Sequence, residues 1–82
     1  MSWTVYIIEA SDDSLYTGIS TDVDRRWQQH VDGKVGAKYF RGRSPRKLVY
    51  QEPALDRSAA SIREAAIKKL SRRQKLDLIH GC

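Results

Sequence analysis

The chain is expected to be an α+β domain, a small three-stranded antiparallel sheet flanked by helices in the order β-β-α-β-α-α. Three observations support this. Runs rich in β-branched and aromatic residues occur at 3–9, 15–19 and 46–52. Apolar residues recur at helical spacing over 22–32 and 56–70. The first two strand-like runs are separated only by the turn-forming Ser11-Asp12-Asp13-Ser14, so they pair as an antiparallel hairpin.

The first strand is Trp3-Thr4-Val5-Tyr6-Ile7-Ile8-Glu9, and the second resumes at Leu15 and runs to Ile19 with Gly18 interrupting it. The hairpin puts Tyr6 and Tyr16 on neighbouring strands. Ser20-Thr21-Asp22 offers N-cap oxygens, and Asp22 and Asp24 place negative charge where a helix dipole favours it. The helix that follows reaches residue 31 or 32. Its residues Val23, Trp27 and Val31 recur as a core stripe, while Arg26 and His30, four apart, share a neighbouring face and can act on one ligand. Residues 32–45 hold Gly33, Gly36 and Gly42 and keep no period, which predicts a loop with room for one helical turn. The third strand covers 46–52 and is expected to stop at Pro53. Asp56 caps a second helix with Ala59, Ile62, Ala66, Ile67 and Leu70 as its apolar face. Ser71 caps a last short helix to about residue 79, where Leu76 and Ile79 pack and Gly81 lies past the end.

Eighty-two residues form one domain, 1–82, that buries only about 60–65% of its unfolded surface. The core must be thin, and Trp3 and Trp27 are expected to belong to it. The lone cysteine, Cys82, excludes an intramolecular disulfide and a thiol zinc cluster. No cationic segment precedes an apolar one at the N-terminus, and the run from Val5 to Ile8 is too short for a signal peptide or membrane span. A cytoplasmic monomer is the expectation.

Charge is unevenly distributed. Of the net +5, residues 1–33 contribute −4 and residues 34–82 contribute +9. This is the footprint of a protein that meets a polyanion, or of a solvated cationic surface. Lys34, Lys38, Arg41, Arg43, Arg46 and Lys47 give six cations and no acid across fourteen residues, which suits a phosphate track. Tyr39 and Phe40 lie among them, either to stack on exposed bases, worth about 1–3 kcal/mol per base, or to pin the loop to the core. Lys68, Lys69, Arg72, Arg73 and Lys75 form a second cluster, expected at the end of a helix whose dipole they complement.

Tyr6, Tyr16, Arg26, His30 and Glu64 together resemble a dispersed active site for a phosphodiester. The planar, permanently charged guanidinium of Arg26 can stabilise charge that grows on non-bridging oxygens. His30 can hold a phosphate oxygen or pass a proton. A phenol with a pKa near 10 is only about 0.1% ionised at neutral pH, a deficit of roughly 4 kcal/mol. Tyr6 and Tyr16 therefore need a nearby cation to serve as bases, or else they orient water and relay its proton. Read alone, Tyr6 is equally a half-buried strand aromatic, and Glu64 a surface carboxylate.

The same residues carry a resemblance to the GIY-YIG nuclease family, in its small single-domain, YhbQ-like branch. Thr4-Val5-Tyr6 stands where the family has its first motif and Tyr16-Thr17-Gly18 where it has its second. The segment from Tyr16 to His30 is similar to the family's passage from strand to helix. Arg63-Glu64-Ala65-Ala66-Ile67-Lys68 is similar to its glutamate helix, and Gly36-Ala37-Lys38-Tyr39 to a loop of the branch. The resemblance implies a metal-dependent endonuclease acting on DNA, with branched, nicked and single-stranded forms all open. It implies Glu64 as ligand to one Mg²⁺ or Mn²⁺, a use that fits an ion that keeps most of its waters. Tyr6, Tyr16, Arg26 and His30 then complete the catalytic set. Two departures are visible: Thr4 replaces the first motif's glycine, and the chain has no asparagine, a residue many larger relatives place near the site. The second departure motivates the alternative of a nucleic-acid-binding module with a degraded site.

Overall fold

The computed structural model describes residues 2–32 and 44–81. β1 (Trp3–Ala10) and β2 (Leu15–Ser20) form the hairpin, α1 (Val23–Asp32) follows, and β3 (Pro45–Ala54), α2 (Arg57–Lys68) and α3 (Arg72–His80) complete the order. The sheet runs β2-β1-β3, antiparallel throughout, so β1 is the central strand. This is the α+β architecture expected from the sequence.

Alternation along β1 divides the sheet into two working faces. Val5 and Ile7 point to one side, where they cluster with Leu15 and with Ala60 and Ile67 of α2. Tyr6 points to the other, where it meets His30 of α1. Val5, Ile7 and Ile67 are fully buried, each worth about 1.5–3 kcal/mol relative to exposure. α2 begins at the N-cap Asp56, which accepts from the Ala59 amide, and α3 at Ser71, whose reciprocal bonds with Gln74 form a capping box. Gly81 closes α3 in the left-handed conformation.

Three expectations need correction. β3 does not stop at Pro53 but continues to Ala54, with Pro53 opposite Thr4. β3 is an outer strand, where a missing backbone N–H is tolerated. In α1 the inward position is His30 rather than Val31, which is 49% exposed. Seven residues from Val23 return to within about 20° of its direction, whereas eight overshoot by about 80°. In α2 the buried positions are Ala60 and Ile67, while Ile62 is 70% exposed and Ala66 is also exposed. The inner stripe runs through 60, 64 and 67, which puts Glu64 on it and turns Ile62 to solvent.

Candidate active site

Tyr6 opposes Gly18 across the hairpin and Tyr16 opposes Ile8, so the two phenols are diagonal neighbours on one face, with ring centroids 6.4 Å apart. The close approach explains Gly18. A Cβ there would lie 2.5 Å from the Tyr6 hydroxyl oxygen and 2.6 Å from its ring carbon. The Tyr6 ring occupies the space that any side chain at position 18 would need.

α1 then lowers His30 onto the pair. Its ring lies edge-on to Tyr16, with centroids 5.5 Å apart, and its Nε2 is 3.2 Å from the Tyr6 hydroxyl. Tyr6 is 1% exposed and His30 4%, whereas Tyr16 is only half-buried. Burial raises the Tyr6 pKa to about 12, with a smaller push from Tyr16, and outweighs the lowering by the charge and hydrogen-bonding reach of Arg26. Burial, and then the Arg26 charge, lower the His30 pKa. At neutral pH both groups are uncharged. Tyr6 keeps its proton and shares a hydrogen bond with Nε2, whose direction follows the histidine tautomer.

Arg26, half-buried one turn before His30, donates from Nη1 to the Gln29 side chain at 3.4 Å. Glu64 enters from α2. Its charge registers at the Tyr6 hydroxyl as the weakest of the influences there. Its carboxylate is 24% exposed and lies 3.5 Å from Lys68 Nζ. The structure thus brings Tyr6, Tyr16, Arg26 and His30 together on one face, while Glu64 stands on α2 and only its charge reaches the Tyr6 hydroxyl. It also divides the phenols, since Tyr6 is sealed from solvent and protonated while Tyr16 is accessible.

No group of three or more His, Cys, Asp or Glu side chains suited to a metal cage exists among the described residues. A lone, partly exposed carboxylate excludes a closed zinc-type site but fits a hard cation that retains its waters and takes further oxygens from a phosphate. Glu64 fits Mg²⁺ or Mn²⁺ in that sense.

The basic track divides differently. Lys34, Lys38, Tyr39, Arg41 and Arg43 lie outside the described residues. Arg46 has a structural partner set, donating to Glu9 at 3.2 Å, to Asp13 at 2.7 Å and to the Ser11 carbonyl at 2.7 Å. It ties β3 to the hairpin turn. Lys47 is exposed on β3. Arg72 donates to the Asp13 carbonyl and ties α3 to the same turn.

Sequence reasoning missed one cluster. On the α2 side of the sheet, Tyr50 donates to Glu52 Oε1 at 2.6 Å and Arg63 Nε donates to Oε2 at 2.8 Å. Tyr50 and Glu52 at strand spacing were visible in the sequence; their partner, eleven residues on, was not.

A family model for the GIY-YIG catalytic domain matches residues 2–77. The chain is 49% identical over 77 residues to the UPF0213 protein YhbQ of Escherichia coli (strain K12), covering 94% of this chain and 76% of that protein. It is 51% identical over 75 residues to a UPF0213 protein of Syntrophus aciditrophicus (strain SB), covering 92% and 86%. The solution NMR structure of the UPF0213 protein BH0048 from Bacillus halodurans is 48% identical and superimposes with a TM-score of 0.61, over 98% of this chain and 84% of that one. Sequence and fold agree over nearly the whole length, and the chain belongs to the GIY-YIG nuclease family, in its small UPF0213 branch.

Proposed function

We propose that this domain is a metal-dependent endonuclease that hydrolyses DNA phosphodiester bonds at the face formed by β1, β2 and α1. The observation that carries this reading is the convergence of Tyr6, Tyr16, Arg26 and His30 on one face of the sheet, with the charge of Glu64 reaching the Tyr6 hydroxyl from α2. Four elements contribute, from positions scattered over fifty-nine residues. A merely structural aromatic cluster would not need the arginine and the carboxylate.

Each side chain has a role set by its environment. Arg26 binds the non-bridging oxygens of the scissile phosphate and stabilises the charge they gain. Tyr16, the accessible phenol, orients the attacking water through its hydroxyl. Tyr6, protonated and buried with its pKa pushed up to about 12, holds His30 rather than acting as a base at neutral pH. The neutral ring of His30, seated edge-on against Tyr16, holds that phenol in place. Glu64 would hold Mg²⁺ or Mn²⁺, which when bound supplies Lewis-acid stabilisation of the leaving oxygen. Water adds to phosphorus, the bond to the leaving oxygen breaks, and that oxygen takes up a proton.

The test is cleavage of nicked, branched and single-stranded DNA with Mg²⁺ or Mn²⁺ and with EDTA, beside Glu64→Ala and Arg26→Ala. Cleavage by the wild type that both substitutions and EDTA abolish is the expected result. Equal behaviour of wild type and Glu64→Ala would refute the enzyme. DNA binding with a steep salt dependence in that case would identify a non-catalytic nucleic-acid-binding module, the reading favoured by the absence of asparagine from the chain.

A further inference from the structure

α2 carries Glu64, yet little apolar contact holds its orientation. Ala60 and Ile67 are its only buried residues among those described, two turns apart on one stripe. Two such contacts fix how far the helix stands from the sheet but resist rolling about its axis weakly. The consequence for Glu64 is large. A side chain at a radius of about 5–6 Å is displaced by about 1.5 Å when the helix rolls by 15°. A catalytic constellation tolerates about 0.5 Å, and Mg²⁺ demands near-octahedral geometry.

Arg63 supplies the missing constraint. It lies beside Glu64 on α2 and reaches across to β3, where its Nε donates to Glu52 Oε2 at 2.8 Å. The other oxygen of Glu52 accepts from the Tyr50 hydroxyl at 2.6 Å. Glu52 is therefore gripped on both oxygens and cannot swing to follow the helix. Burial alone would raise the Glu52 pKa, but Arg63 and then Tyr50 outweigh it and hold the carboxyl below its usual range, so it stays charged. Glu52 stands opposite Val5 on β1, one residue from Tyr6. The cluster thus ties the helix that bears Glu64 to the strand pair that bears Tyr6. It lies on the opposite face of the sheet from Tyr6 and His30.

We infer that Tyr50, Glu52 and Arg63 form a clamp whose function is to set the roll of α2 and so place the Glu64 carboxylate for its cation. They are positioning residues, and the inference rests on the metal-binding reading of Glu64. Removing either end of the clamp frees α2 to roll and is expected to lower the metal affinity of Glu64.

The experiment measures Mn²⁺ uptake by the full chain, from the electron paramagnetic resonance signal of free Mn²⁺, and sets it beside thermal unfolding. Arg63→Gln and Glu52→Gln are expected to weaken Mn²⁺ binding at least 10-fold, and Tyr50→Phe, which removes one bond, by less. Leu76→Ala, which loosens α3 and the apolar core on which α2 also packs but leaves the three clamp residues in place, serves as the control for lost stability and keeps its Mn²⁺ affinity. In DNA cleavage the clamp variants lose kcat with KM within twofold. If Glu64→Ala loses Mn²⁺ while Arg63→Gln, Glu52→Gln and Tyr50→Phe all bind within twofold of wild type, the clamp is overturned and the metal reading stands. The same holds if Leu76→Ala loses as much affinity as the clamp variants. If wild type and Glu64→Ala both take up no Mn²⁺, the metal reading fails and the clamp's role fails with it.

Discussion

Tyr6 changes character between sequence and structure more than any other residue. Its motif marks it as a candidate base, but its burial beside His30 makes it a proton-bearing support. Tyr6→Phe is expected to cost about 1–3 kcal/mol in urea unfolding, because His30 loses its hydrogen bond to the Tyr6 hydroxyl inside the protein. Gly18→Ala is expected to cost about 1–3 kcal/mol, since the new methyl displaces the Tyr6 ring. Combining it with Tyr6→Leu should cost less than the sum of the two changes, which a double-mutant cycle reads directly. The middle residue of the second motif, Thr17, is 2% exposed, and its Oγ1 has no hydrogen-bond partner among the described residues. Thr17→Val should therefore raise stability by about 1 kcal/mol. His30 gives the fold a pH dependence of definite sign. Its folded pKa lies below the unfolded value of about 6.5, so the unfolded state takes up the proton first. The stability linked to it is present above pH 6.5 and is lost as pH falls through the folded pKa. Unfolding midpoints of wild type should drop between pH 7 and pH 5 more than those of His30→Phe.

At the scale of elements, capping and turn signals were legible because they are local. Asp56, Ser71 and Gly81 act where their chemistry suggested. The inner faces of α1 and α2 were less legible. In α1 the sequence offers Val31 beside His30, and in α2 it offers Ile62 beside Arg63 and Glu64; an apolar count favours the wrong member each time. Which stripe turns inward depends on the sheet beneath. α1 follows the pocket that Tyr6 and Tyr16 line, and α2 follows Glu52. α3 has no fully buried residue; Leu76, Leu78 and Ile79 pack partly buried on the core, and its caps and the Arg72 tie to Asp13 add to that hold. Ser71→Ala should cost about 0.5–2 kcal/mol, and most of it locally. Amide exchange over residues 72–80 should quicken severalfold while the strands of the sheet keep their protection. A cooperative loss of protection across the sheet would show instead that α3 is part of the global folding unit.

At the scale of the whole molecule, the charge division of −4 and +9 predicts association with DNA that weakens steeply with salt. The logarithm of the binding constant should fall linearly with the logarithm of salt concentration, by about 0.9 for each phosphate neutralised. Lys47→Ala should lower that slope. Arg46→Ala should leave it nearly unchanged and loosen the 11–14 turn instead, because Arg46 is already committed to Glu9, Asp13 and Ser11. The sequence by itself determined the element order, the hairpin and the helix caps, because strand and helix periods and capping chemistry are properties of neighbours along the chain, and its family resemblance singled out Tyr6, Tyr16, Arg26, His30 and Glu64 as candidates for one site. Only the tertiary structure decided which phenol is exposed, that Tyr6 stays protonated, that Arg46 is an internal tie, and that Arg63 meets Glu52. Those outcomes depend on burial and on contacts between distant elements, and the local sequence carries no record of either.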